Sequence, residues 1–264
     1  MNRKACFFDI DGTIYNFEVH VQDSTRKAIE DLRANGHLAF VSTGRSRAYI
    51  SPEILDIGFD GVLAACGTYI YYAGEELFNR VIPVEIVDRS IEVFKKYGAY
   101  PVLEGKEWLY FDKIIYPKGK SKGNLFDEIF KDVVVPVTGN EGKYDVNKIT
   151  VFCKTQEAVD GLKSELSDAF DFIQHEMVYM ELVPKGFSKG TGIVEICRRL
   201  GIAKEDTFAF GDSSNDLEMF EAVGTAVCMG NGSDDAKEAA DYVTGHMEEE
   251  GLPDALRHFG LIPC

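Results

Sequence analysis

Three short apolar runs in this chain end the same way, each giving out into a polar turn that contains glycine. Ala5-Cys6-Phe7-Phe8 precedes Asp9-Ile10-Asp11-Gly12-Thr13, and His37-Leu38-Ala39-Phe40-Val41 precedes Ser42-Thr43-Gly44-Arg45. Residues 207–210 precede Gly211-Asp212-Ser213-Ser214-Asn215-Asp216. Runs this short and apolar read as strands buried on both faces, the habit of parallel sheets. Helical patterns separate them. Residues 24–35 place Ala28, Ile29 and Leu32 on one face and stop at Gly36, and residues 191–200 place Ile193, Cys197 and Leu200 at i, i+4 and i+7 before Gly201. A further apolar run at 61–65 follows another expected helix. Strands alternating with helices at this spacing predict an α/β fold, a doubly wound parallel sheet with right-handed crossovers.

The rhythm changes near Pro83. Residues 68–78 read as a hairpin turning at Gly74-Glu75. A helix over 85–97, two short strands around Gly105-Lys106 and a lysine- and glycine-rich stretch over 117–123 follow. A strand at 148–153, a helix at 156–166 and strands at 170–174 and 178–182 complete the segment, and the βα alternation resumes after Pro184. This is the pattern of an inserted α+β layer, with a core of residues 1–82 and 187–264 and an insert of 83–186 that covers the core sheet.

Composition narrows the functional classes. A chain of 264 residues with 45% apolar content can bury one large or two modest cores. Its formal charge of −16 argues against nucleic acid or an anionic membrane as partner, because both reward basic surfaces. No stretch reaches the roughly 18 apolar residues of a membrane span and no signal-peptide pattern opens the sequence, so the expected location is the cytoplasm. The six cysteines, Cys6, Cys66, Cys153, Cys197, Cys228 and Cys264, form no CxxC pair and suit reduced, buried thiols. The five histidines show no metal-ligand spacing.

The three polar turns carry the chemistry. Ligands of open parallel sheets bind beyond the carboxyl ends of the strands, which brings Asp9, Asp11, Thr43, Asp212 and Asp216 to one rim. Alternation along a strand would point Asp9 and Asp11 the same way, and carboxylates held that close require a cation or a shared proton. Four carboxylates have the number and hardness of an octahedral Mg2+ site. Lys189, ahead of an expected helix N-terminus, adds a fixed positive charge where an anion is already favoured. The site is suited to phosphate. Asp9 would attack phosphorus in line to form an acyl phosphate, and Asp11 would protonate the leaving oxygen and then deprotonate the hydrolytic water. The Thr43 hydroxyl and the Gly44 N–H would hold the transferring oxygens.

Asp9-Ile10-Asp11-Gly12-Thr13, Ser42-Thr43-Gly44-Arg45, Lys189 and Gly211-Asp212-Ser213-Ser214-Asn215-Asp216, in this order over nearly the whole chain, resemble the haloacid dehalogenase superfamily phosphatases, in particular the Cof-type branch with a class IIB cap. The resemblance implies a Rossmann-like core, a substrate-specificity cap, magnesium and hydrolysis of phosphate monoesters. It implies that Asp9 is the nucleophile and Asp11 the acid/base and, through its carbonyl, a metal ligand. Asp212 and Asp216 would be further metal ligands, and Thr43, Lys189 and Asn215 would hold phosphate. One departure concerns substrate preference: Cys66-Gly67 stands where many Cof-type members have Asn-Gly.

Other readings weigh less. Asp-x-Asp-Gly alone is an ordinary turn, and a calcium loop would need glycine where Ile14 stands. Gly186-Phe187-Ser188-Lys189-Gly190 matches the nucleophile elbow of serine hydrolases, but Pro184-Lys185 interrupts the strand such an elbow needs, and Ser188 reads more simply as a helix cap. A phosphomutase would use the same Asp9 and Asp11, and a non-catalytic phosphometabolite-binding protein would keep the pocket without the chemistry. The expected partner is a small phosphorylated metabolite. Sugar phosphates come first, and pyridoxal phosphate or a flavin precursor fits the motifs equally. Trp108 and His175 are candidates to face it from the insert.

Overall fold

The computed structural model describes residues 3–16, 18–112, 129–176 and 178–263. The lysine- and glycine-rich stretch over 117–123 and Cys264 lie outside the described residues. The strands in chain order are β1 (Ala5–Phe8), β2 (Leu38–Ser42), β3 (Gly61–Ala64), β4 (Tyr69–Tyr72), β5 (Glu75–Asn79), β6 (Tyr100–Glu104) and β7 (Leu109–Tyr110). They continue with β8 (Val134–Val135), β9 (Lys148–Phe152), β10 (Phe170–Glu176), β11 (Tyr179–Pro184), β12 (Thr207–Gly211), β13 (Thr225–Cys228) and β14 (Tyr242–Val243). One sheet has the order β14-β13-β12-β1-β2-β3-β4-β5 and the other β10-β11-β9-β6-β7-β8. The chain divides into two compact units, residues 1–44, 52–78 and 187–264, and residues 45–51 with 79–186.

In the first unit β14, β13, β12, β1, β2 and β3 run parallel, and β4 turns back antiparallel on β3. Every residue of β1, β2 and β12 is buried, so these strands need apolar side chains on both faces. Phe7 stacks on Phe40 with ring centres 5.1 Å apart, and Ile193 and Ile196 of the helix Lys189–Leu200 belong to the same cluster. Phe8 stacks on Phe210 at 4.8 Å. The helix Asp23–Ala34 buries Ala28, Ile29 and Leu32 and packs against the helix Gly251–His258. It starts at Asp23, and its cap position, Gln22, makes no side-chain bond. The crossover from β2 to β3 holds no full helix, only the 3-10 turn Arg47–Tyr49 and the single turn Pro52–Leu55. The reason is length: residues 45–51 belong to the second unit, and what remains before β3 is too short for more.

The second unit is antiparallel from β10 through β7, with β8 parallel to β7. Its helices Val84–Tyr97 and Gln156–Leu166 bury Val87, Phe94, Val159 and Leu162 against Leu103, Ile149, Val151, Met180 and Leu182. Strand periodicity turns the intervening residues to the opposite face. There Lys148 Nζ lies 2.6 Å from Glu181 Oε2 and 3.7 Å from Glu104 Oε1, and Thr150 donates to Glu104. His175 Nε2 reaches Glu181 Oε1 at 3.3 Å. Trp108 is exposed. Cys6, Cys66, Cys153, Cys197 and Cys228 are free and buried. Among the described residues no helix is long and apolar enough to cross a membrane.

Burial raises the proton affinity of Glu104 against the pull of Lys148, with Glu181 adding to the rise. An acid whose folded value exceeds its unfolded one gives stability that is complete below the unfolded value and lost as pH rises through the folded one. Glu104→Gln removes that loss. The variant should match the parent's melting temperature near pH 4 and exceed it increasingly towards pH 8, and a calorimetric pH series showing the opposite trend would mean that the ionised carboxylate is net favourable.

Candidate active site

Phe8 pairs in register with Val41 on one side and Phe210 on the other, so the residues that follow these three leave the sheet at one edge. Asp9 keeps one ladder bond, from its N–H to Phe210 O at 2.9 Å. The strand then stops. The N–H groups of Thr13, Ile14 and Tyr15 converge on Ile10 O at 3.3, 3.1 and 2.9 Å and curl the chain. Strand alternation therefore does not extend from Asp9 to Asp11: Asp9 is 4% exposed, whereas Asp11 is exposed to solvent.

Lys189 is the first residue of its helix, not a residue ahead of it. Ser188 caps that helix by accepting from Thr191 N–H at 3.2 Å, and Thr191 Oγ1 accepts from Ser188 N–H at 2.8 Å. The serine-elbow reading meets this directly. His246 Nδ1 accepts from Glu248 N–H and His258 stacks on Tyr242, whereas the Ser188 hydroxyl serves the helix cap. Gly190 sets the closeness of the packing, since a Cβ there would come within 2.3 Å of Glu218 O, in the helix Leu217–Ala222 that follows Asp216. That approach carries Lys189 to the carboxylates.

Lys189 Nζ lies 2.7 Å from Asp9 Oδ1 and 2.7 Å from Asp216 Oδ1, and donates to Asn215 Oδ1 at 3.2 Å. Asp216 Oδ2 accepts from the N–H groups of Asp212 and Ser213 at 2.9 and 3.1 Å, which shapes the loop. Asn215 Oδ1 also accepts from Ser213 Oγ, leaving the amide NH2 as the outward donor of this side chain. Thr43 is buried at the end of β2, its N–H bonded to Leu63 O and its carbonyl to Cys66 N–H, with Gly44 next to it. The backbone of the Thr43 turn is thereby fixed from β3.

Oxygens of Asp9, Asp212 and Asp216 lie within 4.8 Å of one another. Burial pushes Asp9 well above the usual carboxylate range, Lys189 opposes this, and Asp216, Asp212 and Asp11 reinforce it. Burial and the Asp216 charge push Asp212 up to about 7. For Lys189, burial works against the charge, but Asp216 and Asp9 outweigh it and hold the ammonium above its ordinary value. Three carboxylates against one ammonium leave a negative excess, and their hard oxygens fit a divalent ion such as Mg2+. Asp11 is outside this side-chain cluster, though near enough for its charge to act on Asp9.

Two positions were missed in the sequence reading. Thr13 Oγ1 donates to Asp212 Oδ1 at 3.4 Å. Asn231 Nδ2 donates to Gly12 O at 2.7 Å while its Oδ1 accepts from Met247 N–H at 3.0 Å, pinning the turn after Asp11. The signal for Asn231 was its place just after β13, at the ligand-binding end of a parallel strand.

The fold and this cluster define a phosphate-handling α/β hydrolase. A sequence model of the haloacid dehalogenase-like hydrolases matches residues 6–256, and the chain belongs to that family. It is 30% identical to the phosphatase candidate YkrA of Bacillus subtilis (strain 168), over 99% of this chain and 100% of that one. It is 27% identical to the 5-amino-6-(5-phospho-D-ribitylamino)uracil phosphatase YitU of the same strain, over 95% of each. The structure of the subclass IIB sugar phosphatase BT4131 superposes with a TM-score of 0.82 at 30% identity, covering 98% of this chain and 100% of that one. The chain is a phosphatase of phosphorylated substrates.

Two substitutions test the geometry. Gly12 has φ +86°, and a Cβ there would lie 2.3 Å from Asp212 Oδ2, so Gly12→Ala should displace Asp212 and weaken divalent-ion binding measured by calorimetry. Lys189→Met leaves buried carboxylates without their cation and should cost about 3–5 kcal/mol in urea unfolding with EDTA present. Adding Asp9→Asn should restore part of that loss.

Proposed function

We propose that the protein is a magnesium-dependent phosphatase that hydrolyses small phosphorylated metabolites, sugar phosphates first among them, through an aspartyl phosphate on Asp9. The observation that carries this reading is the Lys189 ammonium, 2.7 Å from both Asp9 and Asp216, beside the third carboxylate of Asp212. Lys189 opposes the rise in proton affinity that burial imposes on Asp9 and so favours the ionised nucleophile. Asp9 attacks phosphorus, and the bond from phosphorus to the leaving oxygen breaks as Asp11 delivers a proton to that oxygen. Asp11 then takes a proton from water as the water attacks the same phosphorus, releasing inorganic phosphate and restoring Asp9. The Thr43 hydroxyl, the Gly44 N–H, the Asn215 amide and Lys189 hold the transferring oxygens. Asp9, Asp212, Asp216 and the Asp11 carbonyl would hold a magnesium ion, which would supply charge neutralisation at the phosphoryl group when bound.

The substrate class rests on the relatives. One is named a sugar phosphatase and another acts on a phosphoribitylamino compound, and both names describe phosphate on a polyhydroxylated group. The formal net charge of −16 disfavours polymeric nucleic acid. Residues 83–186 would select the substrate and the remainder would do the chemistry.

A panel of phosphorylated metabolites assayed for phosphate release, with and without EDTA, tests the reading. Asp9→Asn should lower kcat by at least about 10³-fold and Asp11→Asn by about 10²–10⁴-fold. Stoichiometric release of inorganic phosphate separates hydrolysis from internal transfer. Full activity in Asp9→Asn would end the assignment.

A further inference from the structure

Residues 45–51 follow directly on Thr43 and Gly44, yet they belong to the unit that holds residues 79–186. Ser46 N–H donates to Glu104 Oε2 at 3.3 Å, and Ala48 N–H donates to Gly105 O at 3.3 Å. The Tyr49 ring meets Phe130 edge-on at 4.8 Å. Inside the segment Tyr49 N–H donates to Ser46 O at 2.9 Å and Arg45 Nη1 to Tyr49 O at 3.4 Å, which closes it into a compact turn.

Glu104 is a costly residue to keep in this place. It is 2% exposed, and burial works against its ionised form. An apolar side chain would fill the position without that cost. The carboxylate is accounted for by what its two oxygens hold: Oε1 accepts from the Thr150 hydroxyl, and Oε2 faces Ser46 N–H. Ser46 is wholly buried, so its N–H requires an acceptor, and Glu104 supplies it.

Thr43 is fixed from β3 on its own side, through Leu63 O and Cys66 N–H. Only Gly44 and Arg45 separate it from Ser46, a reach of at most about 11 Å along the chain. A backbone so short cannot set Gly44 independently of its two ends. We infer, resting on the phosphatase reading above, that Glu104 is a positioning residue for the phosphate-gripping turn. By holding Ser46 N–H it sets the Gly44 N–H and, together with β3, the Thr43 hydroxyl where they meet the transferring oxygens. Glu104 acts through the backbone and touches no substrate.

The test uses the full chain with magnesium present, and reads phosphate release over the metabolite panel alongside calorimetric titration with inorganic phosphate. Glu104→Met and Glu104→Gln remove the same charge at nearly the same length, but only glutamine keeps an oxygen for the N–H. Glu104→Met should lower kcat/KM about tenfold or more, and by a similar factor for every substrate, because the turn grips the phosphoryl group they share. Inorganic phosphate should bind it correspondingly more weakly. Glu104→Gln should recover both quantities to within about threefold of the parent. Ser46→Pro removes the N–H itself at a residue whose φ of −66° suits a proline ring, and should reproduce the loss. Combined with Glu104→Met it should be no more than about threefold worse than either alone, since one bond cannot be lost twice.

Equal loss in the glutamine and methionine variants, losses that multiply in the double variant, or a defect confined to some substrates would each overturn the assignment. Should Glu104→Met fail to fold, as its melting curve would show, Ser46→Pro alone stands against the parent, and parental values there overturn it too. A parent chain that binds inorganic phosphate but releases none from esters would end the phosphatase reading, while the calorimetric comparison of variants would still decide this one.

Discussion

One buried ammonium organises the first unit. Lys189 is 2% exposed, and its two partners, Asp9 and Asp216, are comparably hidden. A charge so far from water is tolerated only when paired, and each carboxylate here needs the same ammonium for the same reason. The consequence is topological. Asp9 follows the first strand, Asp216 closes the loop after the twelfth, and Lys189 opens the helix between them, so three distant segments are locked to one another by a single Nζ. Parallel pairing of β1 with β12 brings the two acidic ends level, and the close approach at Gly190 delivers the lysine.

How much of this was legible in the sequence depended on whether short-range chemistry determined it. The helices expected at 85–97, 156–166 and 191–200 were readable to within two residues, the last because apolar residues recur at helical spacing, and β1, β2 and β12 because each is an unbroken apolar run. The crossover after β2 was not. A helix was expected there, yet residues 45–51 belong to the second unit: Ser46 N–H reaches Glu104 Oε2 and Ala48 packs with Leu109 and Phe130. Nothing local in the sequence marks that departure. The same distinction explains the site. Residues inside the polar turns were visible as motifs, whereas Asn231 is marked only by its place after β13, and its bonds reach residues 219 and 16 positions away.

The inserted unit handles charge differently. Its sheet keeps apolar residues towards the helices and sets Glu104, Lys148, Thr150 and Glu181 on the other face, a strict consequence of period-two alternation. Two acids share one lysine, and they respond in opposite directions. Burial raises Glu104, whereas at Glu181 the close Lys148 and His175 overcome burial and bring the carboxyl down to about 2. The pair thus behaves as one firmly ionised acid and one reluctant one, with the 2.6 Å contact deciding which is which.

The acidic cluster of the first unit faces the same shortage of positive charge. Asp9, Asp212 and Asp216 outnumber Lys189, and the strain shows in the raised proton affinity of Asp9 and Asp212. On an acidic protein a phosphate dianion approaching such a cluster would be repelled, and one lysine already bonded to two carboxylates has little attraction to spare. A divalent cation changes the balance at the point of binding. Held by these carboxylates, it would favour their ionised state and would leave the ammonium free to act on phosphate oxygens. Under the proposed chemistry, ion and substrate affinity are therefore linked, each strengthening the other. The excess of carboxylates, costly in the folded chain alone, is what would make the site depend on a cation under that chemistry.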